Sequence, residues 1–414
     1  MNVNFSFLNK NNPFERVTIH FIRSIIRGWT FFWGALDLFI PKKDNLVVFS
    51  QKQGRYYDNG RALFEYMAVS SDWKVAWLAS DKSIQKKIKN AFPHAFVPLR
   101  LSFSAMWITL RAKYIVVTYS LHDVFPWHGK SKRTVTIQLW HAITIKGYGV
   151  IDKKFNKKKI NRYLAQETSL YNLVITSSEI DKYTTAACTG VNAKKIIPTG
   201  LPRNDILYQE KKNKLLPDDV DLSLHQAILN NKIILYAPTF RDNGTTEFFP
   251  FDDYNIEELK IFLIEYNAAI LIRPHQNDFE NQKRLHTLID KTSGEFLSAG
   301  NNQVSDINSL LPHIDIIVTD YSSIYVDLLI RDTPPIFIPY DLATYEQERG
   351  LAYPYEIITP GPKVFTQSDF LAAIKDALNG APRYKKDREM VRRLFHKYND
   401  GKSCERIVAA MKNL

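Results

Sequence analysis

Cysteine is nearly absent: the 414 residues hold two, Cys188 and Cys404. Two distant cysteines with no CxxC pair build neither a disulfide framework nor a structural zinc site, and they fit a reducing compartment. Glycine is scarce at 16 residues. No GxxxxGK[ST] or GxGxxG occurs, so the glycine-rich phosphate loops of P-loop and dinucleotide-binding proteins are excluded. A clean apolar stretch of membrane-spanning length is also missing. Val17 to Ile40 is apolar and aromatic, but His20, Arg23 and Arg27 interrupt it. Charges inside the run argue against a spanning helix, and against a signal peptide, whose basic residues precede its apolar part.

Arg23 and Arg27 are four apart and share a helical face. Segment 1–43 therefore reads as an amphipathic helix lying in a membrane interface, with Lys42 and Lys43 adding attraction to anionic lipid. Packing on the body of the protein is the other reading. Acidic residues are in deficit, 43 against 55 Lys and Arg, for a net charge of +12. That balance favours phosphorylated ligands, anionic lipid or nucleic acid. The basic residues are spread along the chain and no helix-turn-helix, zinc-finger or RNP pattern occurs, which argues against nucleic acid.

With 45% hydrophobic and 24% charged residues the chain is globular, and its length calls for two or three domains. Strand-like and helix-like segments alternate. Strands are expected at Asn45–Ser50, Trp73–Ala79, Tyr114–Thr118, Thr134–Trp140, Leu173–Ser177 and Ile196–Pro198. After a polar stretch, Gln209–Asp221, the pattern restarts with strands at Lys232–Tyr236, Ala268–Ile272, Asp315–Thr319 and Pro335–Ile338. Such alternation implies parallel sheets covered by helices. The expected organisation is an N-terminal segment 1–43, an α/β domain 44–208, a linker 209–224, a second α/β domain 225–392 and a C-terminal helical segment 393–414. Two doubly wound halves then face each other across a cleft, with ligands beyond the carboxyl ends of the strands.

Polar clusters fall just there. Gln138-Leu139-Trp140-His141 ends one strand, Tyr236 to Asp242 (YAPTFRD) another, and Arg273-Pro274-His275 a third. Most informative is IIVTDYSSIYVD, Ile316 to Asp327: a buried strand runs straight into Thr319-Asp320-Tyr321-Ser322-Ser323 and the start of a helix expected over Ser322–Ile330. A helix N-terminus with two added hydroxyls suits a diphosphate; Asp320 or Ser322 as a plain helix cap is the bland reading. Lone histidines and arginines after strands are more often structural. Two histidines, two arginines and Lys402-Ser403 collected in one cleft would bind phosphate and move a proton.

WHAITIKGYG (Trp140–Gly149), TGLPRND (Thr199–Asp205), YAPTFRD, RPH (Arg273–His275), TDYSSIYVD (Thr319–Asp327), IPYD (Ile338–Asp341) and NDGKSCERI (Asn399–Ile407) occur in one order. Together they resemble the CDP-glycerol glycerophosphotransferase family of teichoic acid primases and polymerases and their capsule-building relatives, over roughly residues 45–411. The resemblance implies a GT-B fold and transfer of glycerol or ribitol phosphate from a CDP-alditol to a lipid-linked or growing glycan, with release of CMP, at the cytoplasmic face of the membrane.

By the same resemblance His141 is the base that activates the acceptor hydroxyl, and His275, with Arg273 or Arg241, is catalytic in holding the donor diphosphate and stabilising the charge on departing CMP. Thr239, Arg241, Arg273, Ser322, Ser323, Lys402 and Ser403 would hold the donor diphosphate, supported by Asp320, Asp327 and Arg203. No cofactor and no metal site is implied. One departure is Ala142-Ile143-Thr144 where the family often has Gly-Thr-Pro after the histidine. Competing expectations are a GT-B glycosyltransferase using a nucleotide sugar and a non-catalytic membrane or nucleic-acid-binding protein. A metal-dependent GT-A enzyme is disfavoured because Asp219-Val220-Asp221 lies in a polar linker, not after an apolar strand.

Overall fold

The computed structural model describes residues 28–29, 31–124, 133–151, 157, 160–161, 164, 170–209, 220–241, 246–274, 279–290, 292 and 294–414. The first domain is one parallel sheet of β1 (Lys43–Ser50), β2 (Lys74–Trp77), β3 (Ala112–Val117), β4 (Val135–Gln138), β5 (Leu173–Thr176) and β6 (Ile196–Pro198), in the order β2-β1-β3-β4-β5-β6. The second is a parallel sheet of β7 (Lys232–Ala237), β8 (Ala268–Ile272), β9 (Phe296–Ser298), β10 (Ile316–Thr319) and β11 (Pro335–Phe337), in the order β11-β10-β7-β8-β9.

Most of these strands read as continuous apolar runs because helices cover both faces. All five residues of β8 and all four of β10 are buried. Under the first sheet, Phe49 stacks on Trp77 while Phe64 and Tyr56 meet Trp77 edge-on. The strand order reverses between β1 and β3 in the first domain and between β7 and β10 in the second. Reversal sends neighbouring connections to opposite faces and opens a crevice at the strand ends. Those two crevices face the same cleft.

The chain crosses between the domains more than once. Helix Gln367–Leu378 packs on the second sheet, burying Phe370 and Ile374. The chain then returns through Lys385–Phe395 to helix Ser403–Lys412 on the first domain. There Tyr114 donates to the Met411 carbonyl at 3.2 Å, and the Lys397 amide donates to the Ser177 carbonyl at 3.1 Å. In the other direction the loop after β4 reaches the second domain: Gly147 N donates to Gly350 O at 3.1 Å and Ala352 N to Ile145 O at 3.0 Å.

Strand β9 and helix Phe103–Arg111 are additions to the sequence reading. Strand β9 has three residues, too few to show a period; the helix starts on Ser102, whose hydroxyl caps Ala105 N. The helix expected over Ser322–Ile330 is shorter. It covers Ile324–Leu328 and tightens into a 3₁₀ turn at Leu329–Arg331 before Asp332 at φ 58°. Of segment 1–43, residues 1–27 and Thr30 lie outside the described residues, and so do 210–219 of the expected linker. Residues 31–39 are helical, with Trp33 and Asp37 turned inward at 2% exposure and Phe31 and Phe39 outward at 80% and 82%.

Candidate active site

Between the domains lies a cleft of about 1670 Å³. Its first-domain wall includes Tyr119, Trp140, His141, Lys146 and Arg203; its second-domain wall includes Arg273, Ser298, Gly300 to Gln303, Ser322, Ser323 and Asp327.

His141 follows β4, where Trp140 turns the backbone into the left-handed region at φ 55°. A bulky residue there is strained by about 1–3 kcal/mol unless its surroundings hold it. Here Trp140 N donates to Gln138 Oε1 at 3.0 Å, Asn59 Nδ2 donates to Trp140 O at 2.9 Å, and the indole stacks on Tyr148 at 5.0 Å. The His141 ring lies on Tyr119 at 4.3 Å and 15°. The Thr118 backbone bonds one side of the ring, whereas Nδ1 is shielded and has no protein partner. Burial, then the charges of Arg203 and Lys52, lower its pKa to about 4. The imidazole is therefore neutral at neutral pH, and one nitrogen is able to accept a proton.

Arg203 sits between the domains. Its Nη1 donates to Asp58 Oδ1 at 2.9 Å and to the His141 carbonyl at 2.6 Å, and Nη2 donates to Asp327 Oδ2 at 2.8 Å. Asn204 Nδ2 takes the other Asp327 oxygen at 2.7 Å. The Asp58 amide donates to Asp306 Oδ2 at 2.9 Å.

Ser322 and Ser323 line the cleft, and neither side chain caps the helix that follows. That helix has five residues, so its dipole adds little and the hydroxyls are the donors on offer. Asp320 ties β7 to β10: its Oδ1 accepts from Thr239 N at 2.9 Å and from Tyr321 N. The Thr239 hydroxyl receives Lys146 Nζ at 3.4 Å. Arg273 donates to the carbonyls of Ala299 and Val304 and to Asn301 Oδ1, so it shapes the loop that forms the second-domain wall. Burial lowers its pKa to about 10.

Two expectations are corrected. Arg241 does not offer its fork to the cleft. Nε and Nη2 bind Asp341 at 2.7 and 2.8 Å, Nη2 also pairs with Asp320 at 2.9 Å, and Tyr321, Tyr340 and Tyr345 surround the guanidinium at 5.1 to 5.3 Å. Neither Lys402 nor Ser403 lines this cleft. The N-terminus of their helix already holds an anion, since Ser403 N and Cys404 N each donate to the Asp205 carboxylate at 2.9 Å. Lys402 lines an adjoining hollow of about 610 Å³ with Asp400 and Glu405. His275 lies outside the described residues, directly after Pro274 on the cleft wall.

Sequence reasoning missed Tyr119, Lys146, Asp58 and Asn59. Tyr119 follows β3 closely, so the strand-end rule that flagged His141 would have found it. Asp58-Asn59-Gly60 reads as a surface turn, and its burial at the domain junction has no local signal. Among the described residues no cluster of three His, Cys, Asp or Glu is placed to hold a metal ion.

Two facing parallel α/β domains with a polar cleft at their strand ends define a GT-B-like architecture. The chain belongs to the CDP-glycerol:poly(glycerophosphate) glycerophosphotransferase family, whose model matches residues 34–413. It is thus a phosphotransferase of the glycerophosphotransferase type. It is 28% identical to the teichoic acid glycerol-phosphate transferase of Staphylococcus aureus, covering 89% of this chain and 92% of that one. It is also 28% identical to the teichoic acid glycerol-phosphate primase of Bacillus subtilis, over 95% and 99%. The ribitol-phosphate primase of Bacillus spizizenii is 26% identical over 94% and 96%. Among solved structures the wall teichoic acid polymerase TagF superposes with a TM-score of 0.71 at 21% identity, covering 98% of each chain. A UDP-N-acetylglucosamine 2-epimerase shares the fold more distantly, at TM-score 0.53 and 14% identity over 90% and 96%.

Proposed function

We propose that the protein transfers glycerol phosphate, or ribitol phosphate, from a CDP-alditol to a hydroxyl of a lipid-linked or growing glycan, in synthesis of a teichoic acid-like or capsule polymer. The observation that carries this reading is His141, a neutral imidazole on one wall of the cleft, with the Ser322 and Ser323 hydroxyls on the other. The acceptor oxygen attacks the alditol-bearing phosphorus and passes its proton to His141. A new phosphodiester P–O bond forms, the P–O–P bond breaks, and CMP leaves with the electron pair. The donor's negative charge close by raises the proton affinity of His141, offsetting the desolvation that lowers it. Ser322, Ser323 and Lys146 act on the diphosphate, with His275 assigned to the departing phosphate by family resemblance. Such a reaction needs chiefly positioning and charge stabilisation.

The reading extends to location. The enzyme works peripherally on the cytoplasmic face of an anionic membrane, through the N-terminal segment. No helix among the described residues is long and apolar enough to cross a membrane. In support, the outward face of 31–39 is Phe31, Phe32, Leu38 and Phe39, an apolar face suited to lipid.

Thermal shift against CDP, CMP, UDP, GDP, CDP-glycerol and CDP-ribitol tests the donor, because a ligand binding only the folded state must stabilise it. Selective stabilisation by CDP and one CDP-alditol is expected and names the alcohol. Stronger stabilisation by UDP or GDP would replace the proposal with a nucleotide-sugar glycosyltransferase.

A further inference from the structure

We propose that Arg203 is a positioning residue that couples the donor-side serine loop to the candidate base, gripping the His141 backbone while Asp327 anchors its other nitrogen. This rests on the reading of His141 as the base.

The connection is short and continuous. Ser322 and Ser323 line the cleft immediately before helix Ile324–Leu328, and Asp327 is on that helix. Both Asp327 oxygens are taken by the 203–204 turn, one by Arg203 Nη2 at 2.8 Å and one by Asn204 Nδ2 at 2.7 Å. The other end of the guanidinium reaches the carbonyl of His141 itself at 2.6 Å. The Arg203 amide donates to Asn59 Oδ1 at 3.1 Å, and Asn59 Nδ2 holds the preceding carbonyl, that of Trp140. The peptides on either side of His141 Cα are thus fixed by one cluster.

A plain interdomain staple would need only the Asp58–Arg203–Asp327 ion pairs. The bond to the His141 carbonyl and the left-handed Trp140 are what it leaves unexplained. Trp140 must be held from outside at φ 55°, and releasing it would swing the imidazole. A donor phosphate that pulls on the Ser322–Ser323 loop therefore moves Asp327, then Arg203, then the base. Catalytic geometry tolerates little displacement, with about 1 Å able to cost roughly a hundredfold in rate.

The test compares wild type with His141→Ala, Asp327→Asn and the double variant Asp58→Asn/Arg203→Gln, all full length. Asp327→Asn is isosteric. The double variant keeps the net charge of the triad at minus one, which guards the fold. CMP release from CDP-glycerol with a glycerol phosphate-terminated lipid acceptor gives kcat and KM, calorimetry gives the Kd for CDP, and melting reports the fold. The groups facing the His141 ring are the Arg203 and Lys52 cations and the Tyr119 phenol, with Asp58 behind Arg203. Asp327→Asn is expected to lower kcat about tenfold or more while the Kd for CDP stays within about threefold. In the double variant the acid limb of kcat/KM should also move to higher pH, because a cation that opposes protonation of His141 is gone.

If His141→Ala abolishes turnover but Asp327→Asn loses activity only in step with its folded fraction, and the double variant keeps the wild-type acid limb, Arg203 is a staple and the inference fails. Full activity in His141→Ala would instead sink the base assignment, and the inference with it.

Discussion

Arg241 shows how a conspicuous sequence residue takes a role that its motif does not announce. In YAPTFRD it follows a strand end and reads as a phosphate ligand. In the fold, two carboxylates and three tyrosine rings enclose it, and its side chain is 10% exposed. Removing one partner from a buried ion-paired cluster leaves uncompensated charge and costs about 3–5 kcal/mol. Arg241→Ala is therefore expected to lower the denaturation midpoint strongly, with the Kd for CDP within about threefold for whatever protein remains folded. A large rise in that Kd at unchanged stability would restore the phosphate-binding role.

His141 gives a pH signature of its own. Folding lowers its pKa from 6.5 to about 4. Between those values the unfolded chain takes up a proton that the folded chain refuses, so this group makes stability fall as pH falls through that window. His141→Gln should flatten the decline in melting temperature between about pH 6.5 and 4 relative to wild type. An unchanged slope would show that the ring is not desolvated in solution.

At the scale of elements, the sheets were largely legible because a strand buried on both faces must be apolar throughout. AAILI in β8 has the limits the sequence predicts, and IIVT of β10 matches to within one residue. The helix after β10 was overextended because a helical period continues from α-helix into 3₁₀ turn while the hydrogen bonding changes. The site was half legible. Strand-end polar residues found His141, Arg273, Ser322 and Ser323, since topology sends strand ends to the cleft. Lys402-Ser403 was misplaced because a helix N-terminus attracts an anion without saying whose, and here the protein supplies Asp205. The Thr199–Asp205 turn that carries Arg203 gives a sharper test. Gly200 has φ +84°, and a Cβ there would stand 2.3 Å from Ser403 Oγ. Gly200→Ala combines backbone strain with a clash and should destabilise by more than about 1 kcal/mol. Urea unfolding with an unshifted midpoint would contradict it.

Across the whole molecule, charge and exposed apolar surface both support the proposed membrane contact. The chain carries a net charge of +12. Helical residues 31–39 keep Trp33 and Asp37 inside, with Asp37 paired to Lys42, so the turn is docked on the body and its aromatic face looks outward. Arg133 donates to the carbonyls of Asp37 and Leu38, which fixes the end of the helix. An anchored helix with four outward apolar residues has already lost its conformational freedom, so lipid contact need not offset much ordering entropy. Full burial of one phenylalanine contributes about 1.5–3 kcal/mol, and each 1.4 kcal/mol is tenfold in affinity. The double substitution Phe31→Ser and Phe39→Ser should therefore weaken co-sedimentation with phosphatidylglycerol vesicles by about tenfold or more, leaving the melting temperature close to wild type because both side chains are exposed. Wild-type binding should also fall on phosphatidylcholine vesicles and in high salt, where the attraction of the basic chain for anionic lipid is lost or screened. Equal sedimentation of wild type and variant would mean that this face does not meet the bilayer.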